Sequence, residues 1–305
     1  MLEHWHCFGG DGMGGLTVGA GHARDMLVTC ADIDAPHSRA WPAPTSIDLM
    51  MAVKLQPGTR AIMKFSIIIP TLNEEKTIQS CLSALRPLRA ECEIIIVDGG
   101  STDNTKILAR PLAGKVITSA KGRARQMNSG ARQATGEVLI FLHADTRLPE
   151  NALSSIQREI GGKRQWGRFD IQLSGTSFML KVIAWMMNRR SRLTGIATGD
   201  QVIFVARAAF ETAGHYPEIS LMEDIALCKA LRKTGPPVCL KDKAVSSGRR
   251  WEHNGIYKTI LLMWSLRLRY FFGADPQILA FLYTQGVFTR LKFRDCWARI
   301  YPRRN

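Results

Sequence analysis

Four short groups of residues combine acids, bases and glycines in patterns that could handle a phosphorylated ligand. The first follows the apolar run Ile94-Ile95-Ile96-Val97, where Asp98 opens Gly99-Gly100-Ser101-Thr102-Asp103. A carboxylate at a strand's carboxyl end can accept hydrogen bonds from a base N–H or from ribose hydroxyls, and glycines let backbone approach a ligand closely. The plainer alternative is a turn with a helix cap. Asp103 fits the cap, whereas Asp98 is a residue no cap needs.

The second group, His143-Ala144-Asp145, ends the apolar run Val138 to Leu142. Carboxylate oxygens suit Mg²⁺ or Mn²⁺, which would hold a diphosphate and neutralise charge on a departing nucleotide. A capping Asp ahead of a Pro-started helix is the alternative. Between these groups, Lys121-Gly122-Arg123-Ala124-Arg125-Gln126-Met127-Asn128 reads as a basic turn entering a helix. Donors at a helix N-terminus gather anions, and the arginine fork matches phosphate; a solvated basic face is the bland counterpart. Last, Met222-Glu223-Asp224 starts a helix after Gly214-His215-Tyr216-Pro217. Adjacent acids there are ordinary capping and dipole partners, or one of them is a general base for an acceptor hydroxyl; the residues alone favour capping.

The elements that must position these groups alternate. Strand-like runs at Phe65 to Pro70, Glu93 to Val97, Lys115 to Thr118 and Glu137 to Leu142 are separated by helical patterns near 74–89, 103–110 and 123–134, with another at 149–160. Such connections imply parallel strands with right-handed crossovers and a ligand site beyond the strands' carboxyl ends. Farther on, the pattern predicts a strand at Gly167 to Leu173, a helix near 176–192, a strand at Gln201 to Ala206 and a helix from about Glu223. Two apolar stretches, 256–272 and 277–288, follow Trp251.

The 305 residues carry a formal charge of +15. Residues 1–62 hold four Lys/Arg and six Asp/Glu and lack sustained periodicity, so they read as a poorly ordered extension; the remainder carries +17. A basic body can meet nucleic acid, an anionic membrane surface or phosphate-bearing substrates. Seven scattered Cys without a CxxC pair suggest neither a disulfide framework nor a zinc knuckle, and a reducing cytoplasm is the simplest expectation. No 18-residue uncharged apolar run exists, which argues against a spanning helix, and no signal peptide is evident. Along Ile256 to Phe272, Ile260, Leu261, Trp264, Leu268 and Phe271 accompany Lys258, Arg267 and Arg269. That pattern fits either a core helix or one lying at a membrane interface, which would bring the protein to the inner face of the membrane.

Taken in order, SIIIPTLNEE (66–75), IIIVDGGSTDNT (94–105), ATGEVLIFLHADT (134–146) and MED (222–224) resemble the family 2 glycosyltransferases of the GT-A fold. GRARQMNSGA (122–131), GDQVIFV (199–205) and SGRRW (247–251) look like a bacterial subgroup of them. The resemblance implies an α/β doubly wound mixed sheet over 63–255, with C-terminal helices in 256–305. It implies that Pro70, Thr71, Asn73 and Glu74 lie beside the nucleotide, that Asp98 and Gly99 hold base or ribose, and that Arg123, Asn128, Ala144 and Asp200 line the nucleotide-sugar pocket. Asp145, with His143, corresponds to the metal-binding DxD element. Asp224 corresponds to the catalytic base beside Glu223, and Arg250 and Trp251 lie near the diphosphate.

Two departures stand out: Gly99 replaces a second Asp, and His143 stands where DxD has its first. Imidazole prefers softer ions than Mg²⁺. The implied reaction is an inverting displacement from a nucleotide-sugar donor to a carbohydrate or lipid acceptor. A nucleotidyltransferase of similar fold is disfavoured because Pro70-Thr71-Leu72-Asn73 lacks that class's glycine-rich signature. A nucleic-acid-binding protein would explain the charge, but no zinc-finger or RNP-like motif is present.

Overall fold

The computed structural model describes residues 63–285; the expected extension 1–62 and residues 286–305 lie outside them. The elements begin with β1 (Phe65–Thr71), α1 (Glu75–Ala84), β2 (Cys92–Asp98), α2 (Thr105–Ala109), β3 (Lys115–Thr118), α3 (Arg123–Gln133) and β4 (Val138–Phe141). Then come β5 (Thr146–Arg147), α4 (Ala152–Glu159), β6 (Trp166–Ser174), α5 (Phe178–Thr194) and β7 (Ile203–Ala206). The chain continues through α6 (Arg207–Thr212), α7 (Glu223–Leu231), β8 (Val238–Ser247), α8 (Arg249–Asn254), α9 (Ile256–Phe271) and α10 (Pro276–Gln285).

One eight-stranded mixed sheet runs β3-β2-β1-β4-β7-β6-β8-β5. β1, β2, β3 and β4 pair in parallel, as their crossover lengths predicted. β7 turns the direction by pairing antiparallel to both β4 and β6. The central strands are apolar without alternation because helices cover both faces. Ile67 and Ile69 meet Ile78 and Leu82 of α1 on one side; Ile68 meets Met127 and Ala131 of α3 on the other. The α3 contact needs Gly130, where a Cβ would fall 2.4 Å from the Ile68 Cγ2.

Three details correct the expectations. The strand expected from Gln201 starts at Ile203, because Gly199–Gln201 form a 3₁₀ turn and Val202 turns the chain at φ 51°. The polar-looking Val238–Ser247, with no predicted element, is the long strand β8, parallel to β6. In α9 only Thr259, Leu262 and Leu266 are buried, while Tyr257, Leu261, Trp264, Leu268 and Phe271 are exposed. α9 therefore buries one face, through Leu262 and Leu266, in a cluster with Met222, Ile225, Leu279 and Leu282, and exposes the other. None of the helices in the described residues is long and apolar enough to cross a membrane.

Candidate active site

The carboxyl ends of β1 and β4 open into a cavity of about 770 Å³. Its wall includes Pro70 and Thr71 at the end of β1 and Glu74 beyond it, Arg123 at the start of α3, and His143, Ala144 and Asp145 after β4. Asp200, Glu223 and Asp224, Arg250 and Trp251 complete the set, so twelve of the sixteen expected site residues converge. Asn73, Asp98, Gly99 and Asn128 do not line it.

Each of the four has a different task. Asn128 is the clearest correction: its Nδ2 donates to the Tyr216 carbonyl (2.8 Å) and its Oδ1 accepts from the Tyr216 N–H (3.0 Å), so a buried amide clamps the 214–217 turn. Asn73 is exposed in the left-handed region (φ 55°) and accepts from the Thr102 N–H (2.9 Å), bracing the glycine loop. Asp98 is fully buried; its Oδ2 accepts from the Gly100 and Ser101 N–H groups (2.9 and 3.0 Å), while Oδ1 has no partner. At Gly99 a Cβ would lie 3.0 Å from the Gln126 amide. Gln126 Nε2 donates to the Thr71 and Val97 carbonyls (2.7 and 2.8 Å), tying α3 to both strand ends. Asp103 stands one residue before Asn104, the N-cap of α2, and accepts from the Thr105 N–H (3.0 Å) and from the Glu75 N–H of α1 (3.1 Å).

The acids at the start of α7 do not cap their own helix in the usual way. Met222 occupies the N-cap position at φ 71°, a strained conformation for so bulky a side chain. Glu223 is buried and paired with Arg123 Nη1 (3.4 Å). Asp224 Oδ2 accepts from the Gly199 N–H (3.1 Å) and Oδ1 from the Ile225 N–H (2.7 Å). Burial and then the neighbouring Glu223 push the Asp224 carboxyl from 3.8 up to about 6, against the pull of those hydrogen bonds and of Arg123. That value suits a base acting near neutral pH.

The turn that touches Asp224 is itself anchored. Gln201, fully buried, donates to Ser191 Oγ (3.0 Å) and accepts from the Thr198 N–H (3.3 Å). His143 Nδ1 lies 3.3 Å from Asp200 Oδ1. Burial would raise the Asp200 carboxyl, but the His143 bond, Arg123 and Arg250 outweigh it and hold it below the carboxylate range. Arg250 stacks on the Tyr283 ring at 4.3 Å. Trp251 packs on the cluster around Ile171 and Leu180. Gln126, Gln201 and Tyr283 went unnoticed in the sequence; the first two sit inside motifs already recognised, and Tyr283 carries no local signal.

Among the described residues no cluster of three His, Cys, Asp or Glu could form an all-protein metal cage. What is present is the exposed carboxylate of Asp145, with His143 engaged by Asp200. That set fits a hard cation held by one carboxylate, water and ligand phosphates.

A glycosyl transferase family 2 model matches residues 66–207. A PGL/p-HBAD biosynthesis glycosyltransferase of Mycobacterium tuberculosis is 34% identical over 165 residues, 50% of this chain and 62% of that protein. The 4,4'-diaponeurosporenoate glycosyltransferase of Staphylococcus haemolyticus is 26% identical over 228 residues, 67% of this chain and 60% of that protein. The chain thus spans less than two thirds of these relatives. Among solved structures, the mannosyltransferase PcManGT of Pyrobaculum calidifontis, in complex with GDP-Man and Mn²⁺, superposes with a TM-score of 0.52 at 18% identity, covering 79% of this chain and 70% of that one. Staphylococcus aureus TarS 1-349 gives 0.52 at 19%, covering 78% of each chain. The fold is that of GT-A enzymes, and residues 66–207 are similar to the glycosyl transferase family 2 model.

Proposed function

We propose that the protein transfers a sugar from a nucleoside-diphosphate sugar to an acceptor hydroxyl, with inversion, and that Asp224 is the base. The observation that carries this reading is the raised Asp224 carboxyl, held by Gly199 and Ile225 in a cavity that also presents Asp145, His143 and Arg250. Asp224 takes the hydroxyl proton as the acceptor oxygen bonds to the anomeric carbon and the bond to the diphosphate oxygen breaks. With Glu223 paired to Arg123, Asp200 held by His143 and Asp145 assigned to the cation, Asp224 is left to act on the acceptor, which favours direct displacement over a covalent intermediate. Arg250 meets the negative charge of the departing diphosphate. Asp145 would hold a divalent cation, Mg²⁺ or Mn²⁺, whose chemistry is to neutralise diphosphate charge, with His143 oriented beside it by Asp200. Pro70, Thr71 and Glu74 border the nucleotide, with Asp98 and Gly99 supporting that border from beneath.

The exposed stripe Tyr257, Leu261, Trp264, Leu268 and Phe271 recurs at helical spacing along α9, interleaved with Lys258 and Arg269. Apolar residues edged by cations match an anionic membrane surface, and peripheral contact there is part of the proposal. The test of the transferase reading is a panel of nucleotide sugars scored by thermal shift and by release of free nucleotide. A raised melting temperature with at least one donor is expected; a flat response across UDP-, GDP-, TDP- and CMP-sugars, with and without Mg²⁺ or Mn²⁺, would sink it.

A further inference from the structure

Arg190 of α5 and Arg267 of α9 both line the cavity, and nothing in the mechanism above uses them. Nε and Nη2 of Arg190 and Nε of Arg267 are buried without a hydrogen-bond partner. Buried charged donors left unmet are costly, and in native proteins such groups are met by something. Burial holds the Arg190 guanidinium below its ordinary range, while Asp224 opposes that shift, so Arg190 lies within electrostatic reach of the proposed base.

The wall around this pair differs from the wall that faces the β1 and β4 ends. There the lining is Thr71, Glu74, His143 and Asp145; here it is Ile183, Met186 and Met187 of α5 with Ile260, Met263 and Trp264 of α9. Met186 is 39% exposed and Trp264 57%, although both border the cavity. On each helix two of these apolar residues lie three and four positions before the arginine, on the same face, and Met186 and Trp264 carry this apolar lining to the protein surface. Thioether and indole surfaces adapt well to flexible apolar chains.

We propose that Arg190 and Arg267 form an anion subsite for the acceptor, and that the acceptor is an amphiphile. Its carboxylate or phosphate sits on the two guanidinium groups, close to the hydroxyl offered to Asp224, and its apolar portion lies along Met186, Met187, Met263 and Trp264. The assignment of this anion to the acceptor rests on Asp224 as the base. Two arginines arranged around a small anion supply charge-assisted hydrogen bonds that a neutral amphiphile of equal length cannot use.

The test is a binding titration of the full chain, followed by tryptophan fluorescence, with decyl phosphate, decanoate, decyl maltoside and inorganic phosphate, each below any micellar concentration. Decyl phosphate or decanoate should bind at least about tenfold more tightly than decyl maltoside and than inorganic phosphate. The better of the two identifies the anion. Arg190→Gln and Arg267→Gln should each remove most of that advantage while leaving UDP and GDP affinities, measured on the same preparations, unchanged. Arg267→Gln, on an outer helix, guards against a folding artefact at Arg190. Equal binding of decyl phosphate and decyl maltoside, or indifference to both substitutions, would overturn the subsite. Inorganic phosphate binding as tightly as decyl phosphate would overturn the amphiphile. Loss of UDP and GDP binding in step with the anion would assign the arginines to the donor diphosphate instead. If Arg-dependent amphiphile binding persists while no nucleotide binds at all, the subsite stands and the transferase reading falls.

Discussion

Replacing Asp224 with Asn should make the protein more stable and less active at once. The carboxyl stands at about 6 in the fold against an ordinary 3.8, which corresponds to roughly 3 kcal/mol of cost for carrying the charge. The sign follows from proton binding: between those two values the native state holds the proton and the unfolded chain has lost it. Wild-type stability therefore declines as pH rises from about 4 to 6, and the full cost is present above 6. Asn removes the charge but can accept through only one atom, so either the Gly199 or the Ile225 N–H loses its partner, at about 1–2 kcal/mol. The net gain at pH 8 is then about 1–2 kcal/mol, visible as a few degrees in Tm. At pH 4 the gain disappears and the lost hydrogen bond leaves the variant weaker than wild type. Denaturant melts of both proteins at pH 4 and 8 read this crossover directly, and nucleotide release from an accepted donor should fall by about 10²- to 10⁴-fold. A variant destabilised equally at both pH values would refute the reasoning, because the charge would then carry no burial cost.

Gly199→Ala would place a Cβ 2.4 Å from the His143 ring; shifting that ring and the Asp224 bond together should cost about 1–3 kcal/mol in melts and most of the turnover. Asp145→Ala should weaken Mg²⁺- or Mn²⁺-dependent donor binding far more than His143→Ala, and EDTA should silence the wild type; full turnover in excess EDTA would leave Arg250 and its neighbours to neutralise the diphosphate. Leu261→Ser with Phe271→Ser should lower co-sedimentation with phosphatidylserine vesicles by about tenfold or more, since each large apolar side chain contributes about 1.5–3 kcal/mol when buried. Undiminished binding of that double variant would move the membrane contact elsewhere.

The parallel block was readable because its strands are buried on both faces, so Ile67–Ile69 within β1 and Ile94–Val97 within β2 stand out as uninterrupted apolar runs. β8 was hidden by the same physics applied to an outer strand. Lys241 and Lys243 point to solvent while Leu240 and Ala244 face inward, and the pairing with β6 slips between Phe169 and Asp170. At the site, acids at element ends announced themselves by chemistry, and Asp145 and Asp224 reached the cavity as expected. Their wider roles in the sequence were ambiguous: Glu223-Asp224 looked like helix caps until a residue 25 positions away, Gly199, proved to be the partner. Asn128 was misplaced because nothing local tells whether an amide on a basic helix faces a ligand or a carbonyl; its partner, Tyr216, is 88 residues away. Arg190 carries no local signal and Arg267 reads only as one of the cations along Ile256 to Phe272, since their burial depends on α5 and α9 both bordering one cavity.

The stacking of Arg250 on Tyr283 bears on the order in which the molecule is made. Synthesis delivers β1 to β4 first, and these strands pair with one another and pack against α1 on one face and α3 on the other. The clamp that fixes Arg250 arrives only with α10, more than 200 residues after Pro70 on the opposite wall. All eight strands are synthesised by Ser247, so the sheet can form before Tyr283 is available to hold Arg250. A chain stopped before Pro276 would keep β1 to β4 paired while its Arg250 swung free.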